Sequence, residues 1–197
     1  VLVATGRAKE ARHFAAEVPE AGRVPQAADL ARRQAAALAD QARALVNRGD
    51  SRTALATYRE AMARDPSNPW FKLDYARLQT RIGDRTGADR TIEAMIAGPH
   101  PSGEALAAAA IWFGEHGNYQ RAAELARAVP PSTVVANFGT MAQQWNAASE
   151  AQRAVALARR GQLAEAHRIL DGIIAGARGN IGIVGVAADA YVDIGDA

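Results

Sequence analysis

The sequence predicts an all-α solenoid, a right-handed superhelix of stacked helix pairs, and two observations support this class. Glycines recur at a spacing of 34 residues in two series, Gly49, Gly83, Gly117 and then Gly161, Gly195. An Ala precedes each of these glycines by seven residues, and another Ala follows the first four by five residues. Small residues let paired helices approach closely, and glycine suits the turn between them because it accepts a positive φ.

A spacing of 34 residues is the length of a tetratricopeptide repeat, which is a helix–turn–helix unit. Arrays of such repeats offer a concave binding surface and no catalytic cleft. The four His residues are scattered without the spacing of a zinc motif, and there is no Cys. We therefore expect a protein that is not an enzyme and that has no cofactor and no metal site.

The prolines predict where one unit ends and the next begins. All eight are expected between helices, because proline inside a helix removes a backbone hydrogen bond. We expect one repeat array over residues 1–197. Its parts are a partial repeat at 1–18, a repeat with an extended first helix at 26–68, repeats at 69–100 and 101–130, a repeat with an inserted or extended helix at 131–178, and a partial repeat at 180–197. Both ends fall inside a repeat, so we expect a slice of a longer array.

Each predicted unit buries one face of its first helix against one face of its second helix. The expected core positions are, unit by unit, Ala42, Ala54 and Tyr58; Ala76, Ala88 and Ile92; Ala110, Phe113 and Ala122; Ala154, Ala166 and Leu170; and Ala188 with Tyr191. The two faces meet where alanine leaves room and a larger side chain fills the remaining space.

The glycine spacing lengthens twice, to 43 residues before Gly49 and to 44 residues before Gly161. The sequence keeps a helical pattern after each break. We therefore predict that the helices after Pro25 and Pro131 are longer than the others or are followed by an unpaired helix. About ten or eleven helices and no strand are expected in the whole chain.

Polar side chains are expected along the concave face, which the first helices of the units line. They are Arg43, Asn47, Trp70, Arg77, Arg81, Glu115 and Arg159. A ladder of this kind can hydrogen-bond an extended ligand, and the alternative is an ordinary solvated helix face.

The three tryptophans have different expected roles. Trp112 lies beside Phe113 in an apolar helix and is expected in the core. Trp70 either packs across a unit junction or offers a platform for a sugar ring. Trp145 either packs against a helix or makes an exposed contact, because its ring has an apolar body and a polar tip.

The charge balance excludes one class of partner. Lys and Arg number 23 against 21 Asp and Glu, and the charges are scattered along the chain. A nucleic-acid-binding protein shows a basic patch or stripe instead. We therefore expect no nucleic-acid partner.

The run from Asp65 to Leu78, Asp-Pro-Ser-Asn-Pro-Trp-Phe-Lys-Leu-Asp-Tyr-Ala-Arg-Leu, followed by Gly83 and Ala88, resembles the repeats of the bacterial cellulose synthase operon protein C family. The resemblance implies a periplasmic scaffold ahead of an outer-membrane β-barrel, which would anchor the full-length protein. It also implies a role in guiding glucan or in docking subunits of the cellulose synthase complex, with the glucan chain or peptidoglycan as further partners. No catalytic residue is implied.

A co-chaperone type of peptide-binding adaptor is the alternative function. Such adaptors clamp a terminal carboxylate with a set of Lys, Asn and Arg on the concave face. Asn47 and Arg81 fit this set, but Lys72 is expected at a packing position.

Both predicted partial repeats leave an apolar helix face without a partner. One carries Ala11, Phe14 and Ala15, and the other carries Val184, Ala188 and Tyr191. Because uncovered apolar faces tend to find partners, we expect self-association through the ends.

Overall fold

The computed structural model describes residues 20–195, with side chains from residue 26 onward. These residues form nine helices and no strand. The helices are α1 Glu20–Asn47, α2 Ser51–Arg64, α3 Pro69–Arg81, α4 Arg85–Ile96, α5 Gly103–Glu115, α6 Tyr119–Ala128, α7 Phe138–Ala158, α8 Leu163–Gly176 and α9 Ile181–Asp193. The predicted all-α class is therefore confirmed. The expected partial repeat at 1–18, with Ala11 and Phe14, lies outside the described residues.

The chain divides into two compact units, one up to Phe71 and one from Lys72 onward. The first unit contains α1 and α2, and the second contains α4 to α9. The boundary between the units falls within α3. The division into repeats at 26–68, 69–100, 101–130, 131–178 and 180–197 stays a prediction.

The turn between α3 and α4 shows why glycine recurs. Gly83 has a φ of +90°, and its N–H donates to the carbonyl of Thr80 at 3.0 Å. The N–H of Asp84 donates to the carbonyl of Gln79 at 2.8 Å, which completes a Schellman motif. The carboxylate of Asp84 then accepts from the N–H of Gly87 at 2.9 Å and caps α4. One turn of three residues, 82–84, thus ends one helix and begins the next.

The same turn is repeated at Gly49, Gly117 and Gly161, and Gly195 also has a positive φ. Their φ values are +84° at Gly49, +76° at Gly117, +80° at Gly161 and +86° at Gly195. Asp50 and Asn118 cap the helices that follow, with side-chain oxygens 3.1 and 3.2 Å from their backbone donors. Gln162 occupies the equivalent position without a side-chain cap. The predicted positive φ is confirmed at every periodic glycine.

The core consists largely of alanine. Eight periodic alanines are fully buried, namely Ala42, Ala54, Ala76, Ala88, Ala110, Ala122, Ala154 and Ala166. Tyr58, Ile92 and Leu170 are buried beside them, as predicted. Because alanine lacks side-chain bulk, the helix axes approach closely and larger side chains fill only the remaining gaps.

The prediction for Ala188 is wrong, because this residue is exposed. The buried face of α9 is formed by Ile183, Ala187 and Ala190, which are spaced at i, i+4 and i+7. That face contacts α7 and α8. Ala188 lies outside it, and no helix among the described residues covers it.

Two helices are longer than the others, as the irregular glycine spacing predicts. Helix α1 has 28 residues and α7 has 21, whereas the remaining helices have 10 to 14. The expectation that every proline lies between helices is wrong for Pro25, which is the sixth residue of α1. Pro25 removes one backbone donor near the start of a long helix, and the many bonds that follow it maintain α1.

Candidate binding surface

The predicted binding residues of the first unit are exposed or partly exposed. Arg43 and Asn47 lie in the last two turns of α1, and Arg43 is paired with Asp40. Trp70 is the second residue of α3 and is half-buried. Its N–H donates to the side-chain oxygen of Asn68 at 3.0 Å. This unit therefore presents an ion pair, an amide and part of an indole ring.

The residues before Trp70 form a capped junction between α2 and α3. Asp65 is nearly buried and accepts a hydrogen bond from the hydroxyl of Ser67 at 2.6 Å. The N–H of Asn68 donates to the carbonyl of Asp65 at 3.3 Å. Pro69 then takes the first helical position, where its missing N–H costs nothing. The polar residues of this motif therefore build the junction.

In the second unit, two predicted binding residues bind each other. Arg77 of α3 and Glu115 of α5 form a bidentate ion pair, in which Nε donates to Oε2 at 3.0 Å and Nη2 donates to Oε1. Arg77 also contacts Asp74, with Nη1 3.3 Å from Oδ1. The hydrogen bonds that Arg77 donates to Glu115 raise the pKa of Arg77 above its ordinary value. A ligand for Arg77 must therefore compete with two carboxylates.

The pairing of Arg77 repeats a pattern of the first unit. Asp40 and Arg43 are paired at i and i+3, and so are Asp74 and Arg77, 34 residues later. Two of the seven predicted binding residues, Arg43 and Arg77, thus belong to Asp–Arg pairs. Sequence reasoning identified the arginines and missed the aspartates, although the 34-residue spacing applies to both.

Arg81 and Arg159 complete the predicted set and lie at the C-terminal ends of helices. Arg81 is the last residue of α3, and Arg159 directly follows α7. Both are exposed. A cation at this position also stabilises its helix, because the last carbonyls carry partial negative charge.

The tryptophans of the second unit belong to the core. Trp112 is buried, as predicted, and its ring lies 3.9 Å from that of His116 between centroids. Trp145 is only 8% exposed and meets Phe138 edge-on at 5.8 Å. It also lies directly over Gly114, where a Cβ atom would be 2.2 Å from its Nε1 atom. Of the alternatives for Trp145, the structure shows packing.

A groove of about 780 Å³ lies among α6, α7 and α8 in the second unit. None of the predicted binding residues lines it. Its lining includes Ala123, Ala126, Arg127, Gln143, Asn146, Glu150, Arg168, Ile169, Gly172, Gly176 and Arg178. Sequence reasoning missed it because it lies beside the extended helix α7, where the 34-residue spacing fails. Gly172 and Gly176 lie in α8, where no turn requires glycine, and they were the feature of the sequence that could have indicated the groove.

Two other types of site are absent from residues 20–195, the part of the chain that the structure describes. No helix there combines the length and apolar character needed to cross a bilayer. No three His, Cys, Asp or Glu residues among them are grouped so that they could hold a metal ion.

Comparisons with known proteins agree with the helix pairs and glycine turns. Residues 45–111 match the family model for the tetratricopeptide repeat. Over 150 residues the chain is 29% identical to cellulose synthase operon protein C of Pseudomonas fluorescens (strain SBW25). That match covers 76% of this chain and 12% of the relative, so the chain spans only a small part of that protein's length. The fold of the described residues is thus all-α, residues 45–111 match the tetratricopeptide repeat, and the sequence is similar to part of cellulose synthase operon protein C.

Proposed function

We propose that this chain is a non-catalytic periplasmic scaffold in a machinery that makes and exports cellulose. Tetratricopeptide repeats serve protein–protein interaction and are generally non-catalytic. The similarity to cellulose synthase operon protein C over most of the chain is the observation that carries the cellulose-specific part. In this role the repeats dock subunits of the synthase and guide glucan toward the outer membrane.

The first-helix surfaces of both units offer suitable chemistry for this role. The Asp–Arg pairs of α1 and α3 place acceptors and donors side by side, and sugar hydroxyls can use both. Trp70 is the one tryptophan among the described residues that is not buried, and an exposed indole face can stack on a sugar ring. These features support weak contact with a moving chain, since tight binding would hold the glucan in place.

Glucan contact can be tested by titrating cellohexaose into the isotopically labelled protein and following backbone amide shifts. We expect shifts in α1 and α3 at millimolar sugar, a loss of the α3 shifts in Trp70→Ala, and their retention in Trp70→Phe, which keeps an aromatic ring. Maltohexaose is the control for linkage. An absence of shifts with cellohexaose would limit this segment to protein contacts.

Docking of synthase subunits requires a separate test in cells. A photo-crosslinking residue at Arg81 or Arg159 of the full-length protein should capture a subunit of the synthase complex, because both positions are exposed at helix ends. The same residue at Ala110, which is buried, is the control. Failure at both exposed positions would argue against docking through this face.

The adaptor alternative has less support from these residues. Lys72 is half-buried, so it does not join Asn47 and Arg81 as an exposed cation.

The expected self-association stays a proposal. The predicted uncovered face is wrong for Tyr191, which packs against α8 and donates from its hydroxyl to Asp171 at 2.7 Å. Val184, Ala188 and Val192 are exposed on α9. Light scattering over a concentration series should show rising mass, and Val184→Lys should reduce it. A constant monomer mass would contradict the expectation.

A further inference from the structure

The groove among α6, α7 and α8 carries an unbalanced charge. Arg127, Arg168 and Arg178 line it, against Glu150 as its one acidic residue. Glu150 is already paired with Arg153, with 3.0 Å between Nη1 and Oε2. The groove therefore presents more positive than negative charge to anything that enters it.

Two of these arginines have no acidic partner among the described side chains, residues 26–195. Arg168 pairs with Glu165 on its own helix. Arg127, in the last turn of α6, and Arg178, in the turn between α8 and α9, form no ion pair within the described part of the chain. Both are exposed, and they extend from different walls of the groove. Such unpaired guanidinium groups suit carboxylates, which they can bind in a bidentate way.

The remaining lining favours a peptide over a sugar. Gln143 and Asn146 of α7 offer side-chain amides, which can pair with the N–H and C=O groups of a peptide backbone. The walls contain Gly172 and Gly176, and a Cβ atom at either would meet no atom within 4 Å. A main chain can therefore approach closely. No aromatic side chain lines the groove, so a sugar ring would have no stacking platform.

We propose that this groove binds an acidic peptide segment of a partner protein. Its carboxylates pair with Arg127 and Arg178, and its backbone bonds to the amides of Gln143 and Asn146. This surface is formed largely by second helices and by the extended α7. It is separate from the first-helix face discussed above, so the two proposals can fail independently.

The first experiment measures peptide binding to the whole chain. The probe is a fluorescein-labelled peptide of about eight residues with alternating Asp and Ala, at about 50 mM salt. The matched control peptide has Asn in place of every Asp. We expect the acidic peptide to bind with a Kd below about 1 mM, to shift the amides of Gly172 and Gly176, and to weaken as salt rises. Equal binding of the Asn peptide, or no binding by about 1 mM, would overturn the proposal.

Substitutions of single arginines then distinguish binding in the groove from electrostatic attraction of the acidic peptide to the protein as a whole. Arg127→Gln and Arg178→Gln should each weaken binding about threefold or more. Arg160→Gln removes the same charge from an exposed position outside the groove and should leave the Kd unchanged. An equal loss in Arg160→Gln would assign binding to net charge and overturn the proposal.

A groove-filling variant tests the same point without removing charge. Gly172→Leu adds a side chain where space is open and replaces glycine with a better helix former. It should weaken peptide binding about tenfold while the melting temperature does not fall. Unchanged binding in Gly172→Leu would refute the proposal, as would cellohexaose shifting the amides of Gly172 and Gly176 where the acidic peptide does not. The same spectra report the amides of α1 and α3, so failure here is distinguishable from failure of glucan contact.

Discussion

Replacing Gly114 with Ala should destabilise the protein, although the same change inside a helix normally stabilises it. A Cβ atom at this position of α5 would lie 2.2 Å from Nε1, 2.5 Å from Cε2 and 2.9 Å from Cζ2 of Trp145. Carbon and nitrogen atoms need about 3.5 Å, so the indole must move by roughly 1 Å or more. Trp145 is buried, so the side chains around it restrict how far its ring can move.

The magnitude follows from two opposing terms. Forcing an additional methyl group into a packed core costs about 1–3 kcal/mol. Alanine in place of helical glycine contributes about 0.8–1 kcal/mol in the opposite direction. The difference is a loss of about 0–2 kcal/mol in the free energy of unfolding. Urea denaturation followed by circular dichroism and tryptophan fluorescence would measure this loss.

Gly172→Ala is the matched control, because its Cβ meets open space in helix α8. It should stabilise the protein by about 0.5–1 kcal/mol. In a Trp145→Ala background, Gly114→Ala should also become stabilising, since the obstructing ring is gone. If Gly114→Ala stabilises the unmodified protein as much as Gly172→Ala does, the assigned contact between Gly114 and Trp145 is wrong.

Three further predictions concern the turns, the core and the ion pairs. Gly83→Val should lower the free energy of unfolding by more than about 1 kcal/mol because φ is +90°. Gly83→Asn should lower it less, since Asn tolerates positive φ. Thermal unfolding would compare the two variants, and equal melting temperatures would contradict the assignment. Ala88→Leu should cost about 1–3 kcal/mol in urea unfolding, while exposed Ala188→Leu should be nearly neutral; equal effects would refute the core assignment. The coupling between Arg77 and Glu115 in a double-mutant cycle should be below about 1 kcal/mol and fall with salt, because both side chains are about 40% exposed; salt-independent coupling would contradict this.

The features that could be predicted from the sequence are those that the 34-residue spacing marks, namely the turns and the close helix contacts. Gly83 and Ala88 could be assigned because a positive φ and a close helix contact each restrict the residue type at one position. The pair of Arg77 and Glu115 could not be found in this way, because the two residues are 38 positions apart. The sequence does not show which rotamers their side chains adopt, so it does not show that they meet. Ala188 was misassigned for a related reason, since a repeat pattern marks a position without showing whether a neighbouring helix covers it.

The binding surfaces were predicted less completely than the fold. The first-helix residues follow from their place in the repeat, so Arg43 and Arg77 were recognised as equivalent. The groove near Gly172 lies beside α7, which is longer than the first helix of a regular repeat. The 34-residue spacing does not extend through α7, so it could not predict the groove. Trp145 also lies in α7, and its packing role is seen only from its contact with Gly114 in the structure.

The glycine turns determine where this chain can lengthen. In the turn at Gly83, the residue that completes the end of α3 is also the residue that caps α4, so no spare linker residue exists. An insertion there would break two caps at once. In the segment between α6 and α7, residues 129–137, no single residue both ends one helix and caps the next. Val134 within this segment is 93% exposed. An epitope tag or a fluorescent reporter therefore belongs in this segment, where it would leave every helix pair intact.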